Sequence, residues 1–178
     1  MRAVVRPVLL VAAVLFCLGG CGSQEGGTLR VSSPSFAGGE RIPVLHTCDG
    51  ANVSPALEWA TPPSGTRSLA VIMDDPDARG WVHWVLFDLP ADALSLPEGI
   101  PADAPEPAGG VHGKGTAAIG YVGPCPPEHD GPHHYSFRVY ALDSRLGLPS
   151  GASKVEVERA MRGHILSSGE LMGTYSRP

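Results

Sequence analysis

The chain has 178 residues, 43% hydrophobic, 17% charged and 6% aromatic, which suits one packed globular domain and excludes wholesale disorder. Its 23 glycines and 18 prolines call for many turns and argue against a helical bundle. A formal net charge of −5 leaves no basic footprint, so nucleic acid is not an expected partner.

At the N-terminus, Arg2 and Arg6 precede an apolar run from Val8 to Leu18, followed by Gly19, Gly20 and Cys21. A positive end, a short apolar centre and small residues make up a secretory signal, and the run is too short to span a bilayer comfortably as a permanent helix. The tetrad Leu18-Gly19-Gly20-Cys21 resembles the bacterial lipobox, in which the cysteine is lipidated and becomes the first residue. Residues 1–20 are therefore expected to be a lipoprotein signal peptide, with Cys21 the lipidation site. The implied location is the extracytoplasmic face of the cell membrane. Residues 21–28 contain the small, polar run Gly22–Gly27 and are expected to form a flexible tether to a folded domain over 29–178. Losing residues 1–20 removes two arginines from an already acidic chain. Attachment would then rest on acyl chains rather than on attraction to anionic lipid.

The expected elements follow in chain order. Leu29–Ser32 reads as a short edge strand. Ser68–Met73 is a nearly continuous apolar run that ends in the acidic turn Asp74-Asp75-Pro76-Asp77. Trp81–Leu89 is almost wholly apolar, as a strand buried on both faces requires. From Pro90 to Ala118 the chain is rich in Pro, Gly and Ala without periodicity, and a loop that long is expected to be functional or mobile. Tyr135–Leu142 alternates, with Tyr135, Phe137, Val139 and Ala141 on one face and Ser136, Arg138, Tyr140 and Leu142 on the other. Ser153 and Glu156 form a capping box for a helix that carries Val157, Ala160, Met161, His164 and Ile165 on one face, with Gly169 as its stop. Leu171–Tyr175 closes the sheet. Cys48 and Cys125 remain after the leader and the lipidated cysteine are set aside. In an oxidising compartment they form either a disulfide or two buried thiols.

Three patches stand out chemically: Asp74–Asp77, Val82-His83-Trp84, and the Gly/Pro-rich run from Gly120 to Tyr135. Singly each has an ordinary reading as a turn, a core histidine or a loop. No Gly-x-Ser-x-Gly elbow is present, so a nucleophilic enzyme is not expected, and His83 and His133 would be the residues of any hydrolase. The acidic and histidine residues lack the regular spacing of a zinc site, and neither metal nor cofactor is expected. His129 and His133 are four apart, but Gly131-Pro132 between them forbids the helix that such a ligand pair would need.

Taken together, five ordered blocks resemble the phosphatidylethanolamine-binding protein (PEBP) family, most closely its bacterial Raf-kinase-inhibitor-like branch. They are Cys48–Trp59, Asp74–Ala78, His83-Trp84, Gly123–Pro127 and His133–Leu142, within a likeness that runs from about Phe36 to Tyr175. The resemblance implies a mainly β fold, an antiparallel β-sandwich with a C-terminal helix and a small anion pocket. Carried over residue by residue, that pocket comprises Asp75, His83, Gly123, Pro124, His133 and Tyr135. Two imidazoles beside a carboxylate can hold protons and offer donors to phosphate or carboxylate oxygens. The implied partner is a small anionic or phosphorylated ligand such as phosphate or a phospholipid head group. The alternative is a regulatory inhibitor of a kinase or protease. The chain departs from the family pattern at His134, where arginine is usual, at Arg79, in place of a proline, and at Thr116, in place of an asparagine.

Overall fold

The computed structural model describes residues 27–177. The expected leader, Cys21 and residues 22–26 of the expected tether lie outside them. Nine strands form two sheets, with one α-helix near the C-terminus, among the described residues. The strands are β1 (Gly27–Thr28), β2 (Val31–Ser32), β3 (Leu57–Trp59), β4 (Ser68–Asp75), β5 (Trp81–Pro90), β6 (Ser95–Leu96), β7 (Val111–His112), β8 (His133–Leu142) and β9 (Ile165–Tyr175), with α1 at Lys154–Met161. The larger sheet has the order β1-β9-β8-β4-β5-β7 and the smaller β2-β3-β6. All pairings are antiparallel except β1 with β9, which is parallel.

One core fills the space between the sheets, where Leu57, Trp59 and Leu96 of the small sheet meet Val71, Met73, Tyr135, Phe137 and Val139 of the large one. A second lies on the outer face of the large sheet, where Ala70, Ile72, Val85 and Phe87 pack against Val157 and Met161 of α1. The central strands are therefore covered on both faces, which is why β4 and β5 read as continuous apolar runs. Strand β8 keeps its expected alternation, with its odd-numbered residues facing the inner core.

Several boundaries differ from expectation. The folded part begins before the expected Leu29, because Gly27 and Thr28 pair with Ser167 and Ser168. The edge strand expected over Leu29–Ser32 is split: the chain leaves β9 after Leu29 and joins the other sheet at Val31. The helix is capped as expected, with the Ser153 side chain accepting the Glu156 N–H and the Glu156 carboxylate accepting the Ser153 N–H. It stops at Met161 rather than near Gly169, because Gly163 takes a left-handed conformation (φ +79°) that turns the chain back. His164 follows that turn, Ile165 begins β9, and Gly169 sits in mid-strand opposite Val139. The segment Pro90–Ala118 carries β6 and β7, which add an edge strand to each sheet. Within the described residues no helix is long and apolar enough to cross a membrane.

Candidate functional site

The end of β4 divides two neighbouring carboxylates by strand alternation. Asp74 faces outward to α1, and Asp75 faces the inner side at the sandwich end, only 2% exposed. Both Asp75 oxygens are used. Oδ1 accepts the Ala78 N–H at 3.0 Å and shapes the β4–β5 turn, and Oδ2 meets His133 Nδ1 at 2.8 Å. Since a carboxylate only accepts, Nδ1 carries the proton and the opposite ring nitrogen, Nε2, faces outward. Asp130 Oδ2 lies 3.4 Å from that Nε2.

His83 reaches the same place through a break in the pleat. The register steps from Met73↔Trp84 to Asp74↔Val82, which leaves His83 as the extra residue of a bulge. The bulge turns its ring to the inner face, edge-on to Tyr135 with ring centroids 5.2 Å apart. Val122 holds it twice: its carbonyl accepts from Nδ1 at 2.7 Å, and its N–H donates to the His83 carbonyl at 3.0 Å. The Tyr135 hydroxyl is buried with no hydrogen-bond partner among the described residues. These groups border a cavity of about 300 Å³, whose wall is completed by Trp81, Val122, Gly123, Cys125, Pro126 and Pro127.

The two histidines titrate in opposite directions. Burial pushes His83 below its ordinary value, and its bond to Val122 recovers only part of the loss. Burial also works against the His133 cation, but the hydrogen bonds and charges of Asp75 and Asp130 outweigh it and raise its pKa. Burial, then the charge of Asp75, raises the Tyr135 hydroxyl far above its usual range, so it remains a neutral donor. Among the described residues, no lysine or arginine lines the cavity. When the His133 ring is protonated, the Asp75 carboxylate beside it offsets its charge.

Of the six expected residues, Asp75, His83, Gly123, His133 and Tyr135 border this one cavity, and Pro124 does not. The Pro124 carbonyl instead accepts the Cys48 N–H at 3.1 Å, a structural tie. Gly123 contributes closeness rather than a free donor. Its N–H is taken by Asn52 Oδ1 at 2.7 Å, and a Cβ there would stand 2.3 Å from the His46 carbonyl oxygen. Cys48 and Cys125 form a disulfide, which settles the two alternatives left by the sequence and pins the cavity wall to the 44–52 turn. Sequence reasoning missed Trp81, 43% exposed at the mouth, and Asp130, whose only signal was its place three residues before His133. Two of the three positions that depart from the family pattern are engaged locally. His134 donates its backbone N–H and aligns Nδ1 to Asp77 Oδ2, and Thr116 Oγ1 accepts the Val82 N–H at 2.9 Å.

The family model for phosphatidylethanolamine-binding protein matches residues 32–176. The UPF0098 protein of Methanothermobacter thermautotrophicus is 45% identical over 152 residues, covering 84% of this chain and 99% of the relative. LppC of Mycobacterium tuberculosis, which bears a lipoprotein name, is 42% identical over 151 residues, covering 83% and 72%. Among solved structures, YbcL of E. coli, a member of the mammalian PEBP family, superposes with a TM-score of 0.79 at 32% identity, covering 85% of this chain and all (100%) of that one. The match spans both sheets and every block that builds the cavity: the chain belongs to the phosphatidylethanolamine-binding protein family.

Proposed function

We propose that the cavity binds a single small oxyanion, a phosphoryl or carboxylate group carried on a short organic body. The observation that carries this reading is the Tyr135 hydroxyl, buried without a partner beside a histidine whose proton is held by a buried carboxylate. An unpaired buried donor costs roughly 1–3 kcal/mol, a cost that an accepting ligand oxygen removes. His133 Nε2 supplies a charge-assisted donor, and His83 adds a second imidazole that gains its proton only at lower pH. Because Asp75 offsets the charge of protonated His133, the site favours a single phosphoryl or carboxylate group over a polyphosphate. Trp81, Pro126 and Pro127 offer an apolar wall to the rest of the ligand.

Calorimetric titration with inorganic phosphate and with phenyl phosphate tests this reading. One site is expected, with phenyl phosphate tighter. Tyr135→Phe should weaken binding by roughly three- to ten-fold, the worth of one hydrogen bond, while leaving the melting temperature unchanged or raised because it deletes an unpaired polar atom. No heat of binding in the parent, or a Tyr135→Phe variant that is less stable and binds equally well, overturns the reading.

The same proposal places the domain outside the cytoplasm on a lipid anchor at Cys21, with residues 1–20 removed. It rests on the Leu18–Cys21 tetrad and on likeness to a relative with a lipoprotein name. In a bacterial host, incorporation of a labelled palmitate analogue should be lost in Cys21→Ala. Equal labelling and equal membrane partitioning of that variant would refute the anchor.

A further inference from the structure

We infer that the Asp130 carboxylate is a built-in competitor for the cavity's oxyanion, seated on His133 while the site is empty and displaced when a ligand enters. The inference rests on the oxyanion reading above. His133 has a single ring nitrogen left for a ligand, since Nδ1 is bound to Asp75 at 2.8 Å. Asp130 Oδ2 already stands 3.4 Å from that nitrogen, so an oxyanion on Nε2 must take its place.

The two carboxylates on this imidazole are held very differently. Asp75 has a 3% exposed side chain with both oxygens bonded, one of them to the turn backbone, and cannot leave without breaking the hairpin. The Asp130 side chain is 65% exposed, and this long contact to His133 is its sole side-chain hydrogen bond among the described residues. It stands on the connection from Pro127 to His133, braced by one backbone bond from its N–H to the Pro127 carbonyl at 3.3 Å and preceded by His129 at φ +66°. Rotating the side chain into water therefore breaks one weak contact. With Asp130 in place, the cluster Asp75–His133–Asp130 carries a net negative charge, and Asp77 on the neighbouring turn adds to it. Tyr135 and His83, the other groups facing the cavity, are neutral near pH 7. An incoming anion meets repulsion until Asp130 swings out. A carboxylate ligand would exchange one carboxylate for another, whereas a phosphoryl group has further oxygens for Tyr135 and His83.

The test compares the parent with Asp130→Ala and Glu128→Gln, using phenyl phosphate as the probe. Glu128 stands two residues away, equally exposed and paired with Arg177, so its variant removes a charge from the same loop without vacating His133. Asp130→Ala is expected to bind about two- to five-fold tighter, the scale of an exposed ion pair, and Glu128→Gln to bind like the parent. Nitrogen chemical shifts of the His133 ring should titrate at lower pH in free Asp130→Ala than in the free parent, and the difference should vanish when both are saturated with phenyl phosphate. If the parent binds but Asp130→Ala binds no tighter, or the two variants tighten equally, the competitor role is wrong and the oxyanion reading stands. If none of the three proteins binds, the oxyanion reading fails and this inference falls with it.

Discussion

Asp74→Ala is expected to lower the unfolding free energy by about 2–4 kcal/mol without weakening phenyl phosphate binding by the folded protein. Asp74 is 4% exposed on the outer face of the large sheet, where Arg138 Nη1 donates to both its oxygens at 3.1 Å and Lys154 Nζ donates to Oδ2. It thereby joins β4 to β8 and to the first residue of α1. Removing the shared carboxylate leaves two partly buried cations facing each other. The cost falls short of that for a fully isolated buried charge because each cation keeps a second partner. Arg138 Nε reaches Glu170 at 3.2 Å and Lys154 reaches Glu158 at 3.6 Å. A variant that replaces Asp74, Arg138 and Lys154 together with leucine or methionine should recover much of the loss, since it strands no charge. Urea denaturation of the parent and both variants decides the matter. A single-variant loss below about 0.5 kcal/mol, the scale of a surface pair, would show that the two remaining pairs suffice. The ligand prediction follows from strand alternation: Asp74 and Asp75 are adjacent in sequence but face opposite sides of the sheet.

That adjacency also marks where the sequence was legible and where it was not. The long strands announced themselves, because β4 and β5 are covered on both faces and β8 alternates between two cores. The two-residue strands β1, β6 and β7 carry no periodicity that a sequence could display, and their pairing is set by the neighbours they cover. The helix end was misplaced because the apolar spacing of Val157, Ala160, Met161, His164 and Ile165 continues through Gly163, where the backbone reverses. Local pattern cannot tell a helical face from a helix turning into a strand. In the candidate site, the resemblance to a family brought out Asp75, His83, His133 and Tyr135, but not why they meet. His83 reaches the inner face through a bulge that no alternation rule foretells. Pro124 was carried along by its neighbours in a motif, although its contribution is a carbonyl bond to the Cys48 backbone. Asp130 lay outside the matched blocks, and its contact with His133 depends on how one short loop closes.

Asp75→Asn is expected to weaken phenyl phosphate binding at pH 7 by about ten-fold and to move the pH dependence of binding downward, with the fold retained. The substitution keeps the shape, and its Oδ1 can still accept the Ala78 N–H that forms the turn. What it removes is the charge that holds the second proton on His133. An amide nitrogen facing Nδ1 is a donor, so the ring responds as the neutral tautomer, with its hydrogen on Nε2. The hydrogen bond to the ligand survives but loses its charge assistance, and the difference between the two kinds of bond is roughly ten-fold in affinity. The signs follow from the raised pKa of His133 in the parent. Anion affinity is fully present while the ring is charged and declines as pH rises through its folded value, which lies above the ordinary 6.5. Stability has the same sign for this residue: the contribution is complete below 6.5 and is lost as pH climbs through the folded value. His83 works oppositely, since its lowered pKa costs stability only as pH falls below 6.5. In Asp75→Asn the burial of His133 is opposed by the exposed Asp130 alone, so its proton leaves at lower pH and the decline in affinity shifts with it. Titrations at several pH values between 5.5 and 8.5, with a melting curve at each, separate this from a purely structural role. If Asp75→Asn binds with the parent's affinity and pH profile, Asp75 serves only the turn at Ala78. If it fails to fold at every pH, Asp75→Glu provides the second arm: it retains the charge at altered reach and should preserve the pH profile with weaker binding.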